Sequence, residues 1–233
     1  QALGHRFLTD HADTEVLVHG YAQWGEDLPR RLNGMFAFCI YDKSRRRLFL
    51  ARDRFGEKPL YVAKQGGLFA FGSELHAITA HTQFQARLRP RSLQKLLAYG
   101  FLPAPNAILE DCEKLPGGCW MMFDVEANVA RTQRYWQFDL ETDPSWLERP
   151  EGDLVEELRG HIVEATRRRL LSDVPLGFFL SGGLDSSAVL AAASRLLPKE
   201  NIQTFTLGFR EPSFDESDYA RKVAAHFGVS NET

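Results

Sequence analysis

Leu176 to Ser187 reads LGFFLSGGLDSS, an apolar run that breaks into a glycine pair, a carboxylate and paired hydroxyls. The residues at 176–180 are apolar or small and suit a strand buried on both faces, while Ser186 to Leu197 (SSAVLAAASRLL) carries strong helix formers at helical spacing. Strand, tight turn and helix in that order confine this part of the chain to an α/β unit. Gly182 and Gly183 let the backbone turn with no Cβ in the way, so that successive N–H groups and the positive end of the following helix face one spot suited to an anion. Ser181, Ser186 and Ser187 can add hydroxyl donors to phosphate oxygens. Asp185 repels a bare phosphate and makes sense beside one when a cation such as Mg²⁺ lies between them. No Lys follows the last glycine, so the GxxxxGK[ST] phosphate loop is excluded. The plain alternative is a Ser/Gly turn that binds nothing.

The chain around this turn supports two domains. Leu154, Leu158, Ile162, Ala165 and Leu170 mark an amphipathic helix ahead of the Leu176 strand, and Ile202–Phe209 reads as the next, parallel strand. Asp215 to Phe227 is a further helix with Tyr219, Val223 and Phe227 on one side. Between Asp139 and Asp153 (DLETDPSWLERPEGD) the sequence turns acidic, gains prolines and loses periodicity, as a linker does. Upstream, Asp13 to Trp24 is a short amphipathic helix with Asp13 where an N-cap belongs. Four strands follow, Met35–Tyr41, Arg47–Arg52, Leu60–Ala63 and Leu68–Phe71, joined mostly by hairpin-length links and therefore antiparallel. In the first of them Met35, Ala37, Cys39 and Tyr41 point one way and Phe36, Phe38 and Ile40 the other, so it needs cover on both faces, as in a layered sandwich. Helical patches at Leu75–Ala80 and Leu93–Tyr99 and a hairpin of Trp120–Asp124 with Val129–Tyr135 complete the first half.

Composition excludes several classes. Net charge is −3 and the arginine clusters at 45–47 and 167–169 are short, which does not suggest nucleic acid. No apolar run is long enough to span a bilayer, and QALGHRFLTD lacks the basic start and apolar middle of a signal peptide, so the expected compartment is the cytoplasm. Cys39, Cys112 and Cys119 are odd in number and lack a CxxC spacing, and read as buried thiols. His5, His11, His19, His76, His81, His161 and His226 show no metal spacing. Arg52, Asp53, Arg54, Glu57 and Lys58 crowd one turn and read as a solvated or mutually paired structural loop.

SGGLDSS resembles the pyrophosphate loop of the N-type ATP pyrophosphatases. GMFAFCIYDKSRRRLFLARDRFGEKPLYV resembles the C-terminal part of the glutaminase domain of glutamine-hydrolysing asparagine synthetases. LLSDVPLGFFLSGGLDSSAVLAAAS, with FTLGFREPSFDESDYARKVAAHFG, resembles the start of the synthetase domain of the same family. The resemblance implies an α+β antiparallel sandwich, the Ntn-type glutaminase domain, over 1–138 and a linker over 139–153. An α/β parallel-sheet ATP-pyrophosphatase domain follows over 154–233, and the chain reads as an excerpt of a longer protein. The implied reaction adenylates the side-chain carboxylate of aspartate with ATP, releases pyrophosphate, and lets ammonia from glutamine displace AMP. Carried over by position, Ser181, Gly182, Gly183, Leu184, Asp185, Ser186 and Ser187 bind pyrophosphate, Asp185 holds Mg²⁺, and the chain at Phe179 and Leu207 meets ATP through backbone groups. Asp13 sits where the family places a carboxylate for the α-amino group of glutamine, a role that stands beside the N-cap reading.

The implied partners are glutamine and aspartate or another carboxylic acid, with neither nucleic acid nor membrane, and with a homodimer as one allowed assembly. The family's glutaminase nucleophile is an N-terminal Cys, whereas residue 1 here is Gln, and the family's LPPGH-like stretch reads LPGGCW at Leu115 to Trp120. A β-lactam synthetase or a surface-polymer amidotransferase carries a similar loop and takes another acid. A non-catalytic nucleotide-binding protein is the rival of another class, and the intact Ser181, Asp185 and Ser187 set argues against it.

Overall fold

The computed structural model describes residues 4–9 and 12–233. Residues 1–3, 10 and 11, which include His11 and part of the N-terminal stretch read above, lie outside the described residues. The chain divides into two compact units, Gln1–Leu140 and Glu141–Thr233.

The first unit holds α1 (Asp13–Trp24), α2 (Leu28–Arg31), β1 (Ala37–Asp42), β2 (Arg47–Arg52), β3 (Tyr61–Gln65), β4 (Leu68–Gly72), α3 (Leu75–Thr79), α4 (Pro90–Tyr99), β5 (Cys112–Lys114), β6 (Cys119–Asp124) and β7 (Val129–Arg134). These strands form two antiparallel sheets, ordered β1-β2-β6-β7 and β4-β3-β5. Alternation along each strand explains the layering. Ala37, Cys39, Leu48, Leu50, Cys119 and Met121 turn inward to meet Leu60, Val62 and Phe69 of the smaller sheet, and Phe69 stacks on Phe123 with ring centroids 3.9 Å apart. The alternate residues Phe36, Phe38, Ile40, Phe49, Ala51, Trp120 and Met122 turn outward and are covered by Tyr21 of α1, which stacks on Phe49 at 5.1 Å. Ile78 of α3, with Phe84, Ala107 and Leu109, covers the far face of the smaller sheet through Ala63 and Cys112. Both faces of β1 are thus occupied, one by a sheet and one by a helix, and the antiparallel layers fit the sandwich that the resemblance implies.

The hairpin-length links join β1 to β2 and β3 to β4, whereas β2 and β3 do not pair and belong to different sheets. Glu57 and Lys58 of the turn between them are exposed, but the solvated reading is corrected for Asp53, 1% exposed, and Arg52, 9% exposed. Their charges are spent on backbone. The Asp53 carboxylate accepts from the N–H groups of Phe36, Glu57 and Lys58, while the Arg52 guanidinium donates to the carbonyls of Gly56, Lys58 and Leu115. A crossing between layers leaves ladder groups without strand partners, and this carboxylate and guanidinium supply them.

Every residue from Gln137 to Glu148 is exposed, with only a short 3₁₀ turn at Pro144–Glu148. Brief proteolysis is therefore expected to cut first between about Asp139 and Pro150, leaving two resistant fragments. Mass spectrometry of the fragments checks this, and a first cut within Met35–Phe71 would contradict the sandwich.

The second unit holds α5 (Glu151–Arg169), β8 (Gly177–Phe179), α6 (Leu184–Ala193), β9 (Gln203–Phe205), α7 (Ser217–Phe227) and β10 (Ser230–Glu232). Its sheet has the order β10-β9-β8, with both pairings parallel. Leu180, Leu190, Ala193, Ile202, Ala220 and Ala224 form its core. Helix α5 starts ahead of the apolar pattern, within the stretch read as linker, because Glu151 and Asp153 suit the positive first turn. Its apolar stripe is only partly covered, with Leu158 59% exposed.

Three local expectations differ from what is found. β8 is not buried on both faces: it is bonded on one side only, to β9, and Phe179 is 81% exposed. The buried face of α7 is Ala220, Val223, Ala224 and Phe227. Tyr219 lies one residue, hence about 100°, off that face and is exposed. Helix α6 begins at Leu184 because Gly183, in extended conformation, is its cap. It closes early: Arg195 and Leu196 bond back three residues, to Ala192 and Ala193, ahead of Pro198.

Candidate functional site

The turn after β8 is built by close approach. Leu180, 2% exposed, anchors it with an N–H bond to the Phe205 carbonyl of 2.8 Å. Gly182 has φ +79°, and a Cβ there would stand 2.6 Å from the Tyr219 carbonyl carbon and 2.7 Å from the Ala220 nitrogen. Only glycine lets the loop lie on the first turn of α7. From Gly183 the chain enters α6, whose first N–H groups have no intrahelical acceptor and carry the positive end of the helix dipole.

The loop hydroxyls are held on one another. Ser181 Oγ and Ser186 Oγ are 3.1 Å apart, the Ser181 N–H donates to Ser186 Oγ at 3.3 Å, and the Gly183 N–H donates to Ser181 Oγ at 3.2 Å. These are long bonds at an exposed loop, which an incoming anion can replace at little cost. Ser187 is placed differently from its neighbours. Its Oγ is buried without a partner among the described residues, and it does not line the adjoining cleft. Asp185 is the second residue of α6 and exposed, and makes no hydrogen bond or ion pair among the described residues; Gly183, not Asp185, is the cap. Leu184 is exposed beside it.

Ser181 and Ser186 open into a cleft of about 290 Å³, walled by Phe179, Phe205, Leu207, Phe209 and Phe214, with Thr206 and Glu216 at its polar side. Phe179 and Leu207, singled out in the sequence, therefore share one cleft. Phe205, Phe209 and Phe214 were not singled out. A signal existed: residues 205, 207 and 209 are apolar at the period of two expected of one strand face.

In the first unit Asp13 is the exposed first residue of α1, while Ala12 is the cap and no side chain makes a capping bond. The N-cap reading of Asp13 is thereby corrected. Glu15 does the tethering work instead, accepting from the N–H groups of Leu8 at 2.6 Å and Thr9 at 2.8 Å and from the Thr9 hydroxyl. The Thr9 hydroxyl, then the Leu8 N–H, hold its carboxyl down from 4.5 to about 2. A depressed carboxylate keeps its bonds above the ordinary pKa and loses them as pH falls through the lowered one. NMR titration should accordingly show the Leu8 and Thr9 amides shifting with a midpoint near 2, and a midpoint in the usual glutamate range would disprove the tether.

All three cysteines are free thiols, Cys112 and Cys119 buried and Cys39 half-buried. Burial pushes the Cys39 thiol up to about 12 and raises Cys112 and Cys119 as well. Among the described residues no group of three or more His, Cys, Asp or Glu is placed to hold a metal, and no helix is long and apolar enough to cross a membrane.

Comparison with known proteins bears on both units. Residues 1–136 match a family model described as glutamine amidotransferase domain, and residues 157–233 match one described as asparagine synthase. Among curated proteins, the chain is 37% identical to asparagine synthetase (glutamine-hydrolyzing) 3 of Bacillus subtilis (strain 168), over 99% of this chain and 39% of the relative. It is 32% identical to asparagine synthetase (glutamine-hydrolyzing) 1 of the same organism, over 99% of this chain and 35% of the relative. It is also 29% identical to amidase chry2 of Gibberella zeae, over 94% of this chain and 34% of the relative. The chain thus spans well under half the length of these relatives. A glutamine amidotransferase match over the sandwich and an asparagine synthase match over the unit with the SGGLDSS loop place the chain in the family of glutamine-hydrolysing asparagine synthetases.

Proposed function

We propose that the full-length protein is an ATP-dependent amide ligase of the cytoplasm that converts aspartate to asparagine with nitrogen from glutamine. The observation that carries this reading is the Ser181–Ser187 turn. It is pressed against α7 at Gly182, opens onto the N-terminus of α6, and borders an aromatic-walled cleft of about 290 Å³. A carboxylate is a poor electrophile at neutral pH. Attack of its oxygen on the α-phosphorus of ATP expels pyrophosphate and forms an acyl-adenylate, and ammonia then attacks the carbonyl carbon and expels AMP.

The loop's part is to receive the departing polyanion. The first N–H groups of α6 and the hydroxyls of Ser181 and Ser186 present donors to pyrophosphate oxygens, and Gly182 and Gly183 admit the phosphates close to the backbone. Phe179 and Leu207 flank the nucleotide through their main chain, with their side chains at the cleft. Asp185 fits Mg²⁺ by donor chemistry: one free carboxylate beside phosphate oxygens is the hard, sparse set of protein ligands that this ion takes. When bound, the ion neutralises charge on the leaving pyrophosphate. In the first unit, exposed Asp13 binds the α-amino group of glutamine.

Acceptor identity is the finer part of the reading, and the similarity to amidase chry2 gives a related acid as its rival. The deciding experiment supplies the full-length protein with ATP, Mg²⁺, labelled pyrophosphate and a panel of carboxylic acids. Exchange that requires aspartate, with asparagine formed when glutamine is added, supports the proposal. Exchange driven by a different acid moves the acceptor, and no exchange with any acid overturns the ligase reading.

A further inference from the structure

We propose that Thr206 and Asn231 are positioning residues for the loop that begins at Ser181, acting through the Leu180 carbonyl. The inference rests on the reading of Ser181–Ser187 as a pyrophosphate site. Thr204 is fully buried and Thr206 is 8% exposed, and between their hydroxyls stands the carboxamide of Asn231. Thr204 Oγ1 lies 2.7 Å from the Ser230 carbonyl and 2.8 Å from Asn231 Oδ1. Thr206 Oγ1 lies 2.8 Å from the Leu180 carbonyl and 3.0 Å from Asn231 Oδ1. Asn231 Nδ2 is buried with no partner among the described residues.

Proton supply decides how this network is wired. With Oδ1 against both threonines, two hydroxyl protons face four acceptor contacts, and an amide with two protons is left idle in the interior. Turning the amide end for end gives every contact its own proton. Asn231 then donates to both hydroxyls, Thr204 donates to Ser230 and Thr206 donates to Leu180. In this arrangement the Thr206 proton is committed to the Leu180 carbonyl and cannot swing away.

That carbonyl matters because of what shares its peptide plane. The peptide joining Leu180 to Ser181 is planar and trans, so holding the C=O on one edge fixes the N–H on the other. The N–H concerned belongs to Ser181 and points to Ser186 Oγ at 3.3 Å. Asn231 and Thr206 thereby aim the first donor of the loop through the peptide plane, Thr206 from the polar wall of the cleft and Asn231 from behind it.

The test uses the full-length protein. Thr206→Val keeps the shape and loses the hydroxyl, Thr206→Ser keeps the hydroxyl, and Asn231→Asp replaces amide donors with acceptors. For Val and Asp we expect kcat for ATP–pyrophosphate exchange to fall roughly 10- to 100-fold, as sub-ångström misplacement does. The KM of the acceptor acid should stay unchanged, and Ser should restore the rate. NMR hydrogen exchange of the Ser181 amide should speed up in Val and Asp and not in Ser, in samples whose circular dichroism shows an intact fold. Wild-type rates together with unchanged Ser181 protection in Val overturn the positioning role, and the same result in Asp overturns the amide wiring. Should the wild-type protein show no pyrophosphate exchange, the ligase reading falls. Ser181 protection then decides Thr206 alone: unchanged protection in Val rejects the anchoring, and lost protection restored by Ser upholds it.

Discussion

Asp185→Asn in the full-length protein is expected to lower acceptor-dependent ATP–pyrophosphate exchange by about 100-fold or more, the scale of losing a charge that stabilises a transition state. The reason is electrostatic. Pyrophosphate leaves as a polyanion, and the donors of the loop, N–H groups and serine hydroxyls, bring only partial positive charge. On the proposed reading a cation neutralises the rest, and Asp185, whose carboxylate makes no bond among the described residues, would hold it. Asparagine keeps the size and one acceptor but loses the negative charge. The competing structural role is small, because Gly183 caps α6 and Asp185 makes no hydrogen bond or ion pair among the described residues. What remains is its interaction with the helix dipole, about 0.3–1 kcal/mol. Melting should therefore barely move while exchange at saturating Mg²⁺ collapses. Wild-type exchange in the Asn variant would return the loop to the status of a turn.

The parts of the fold that could be read from the sequence are those in which one local rule acts alone. β1 is apolar at every step from Ala37 to Ile40, which demands cover on both faces, and the structure supplies a sheet on one side and Tyr21 on the other. Hairpins β1–β2 and β6–β7 follow from short polar turns between alternating runs. The partition of β2 and β3 into separate sheets could not be read this way. It depends on Arg52 and Asp53 serving backbone groups at Leu115 and Phe36, far away in the chain, and charged residues in a turn look solvated from sequence. β5 has three residues, too few to show a period. The glycines and Ser181 of the loop carried their own signal, whereas the network behind them did not. Thr204 and Thr206 resemble any β-branched strand residues, and their meeting with Asn231 is a product of the parallel pairing of β9 with β10.

Gly182→Ala should be far more damaging than Gly183→Ala, although the two glycines are adjacent. At Gly183 the backbone has ordinary negative φ, −72°, and a new Cβ would meet only Ser181 Oγ, at 3.3 Å. Replacing a glycine cap by alanine there should cost about 1 kcal/mol or less and leave pyrophosphate exchange within the same order of magnitude. At Gly182 two penalties coincide. The left-handed φ of +79° costs an alanine about 1–2 kcal/mol. The new methyl would also stand 2.6 Å from the Tyr219 carbonyl carbon and 2.7 Å from the Ala220 nitrogen, both backbone atoms that cannot rotate away. Relief requires either the loop to lift from α7 or α7 to move, and Ala220 and Ala224 of α7 are packed against Leu180 and Leu190 in the core. Lifting the loop displaces the Ser181 and Ser186 donors, while moving the helix opens the core, so activity and stability are tied to the same contact. The expected outcome for Gly182→Ala is a loss of about 2–4 kcal/mol in urea unfolding and a fall in exchange of roughly 100-fold in the molecules that remain folded. Equal and mild effects for the two substitutions would show that α7 does not brace the loop.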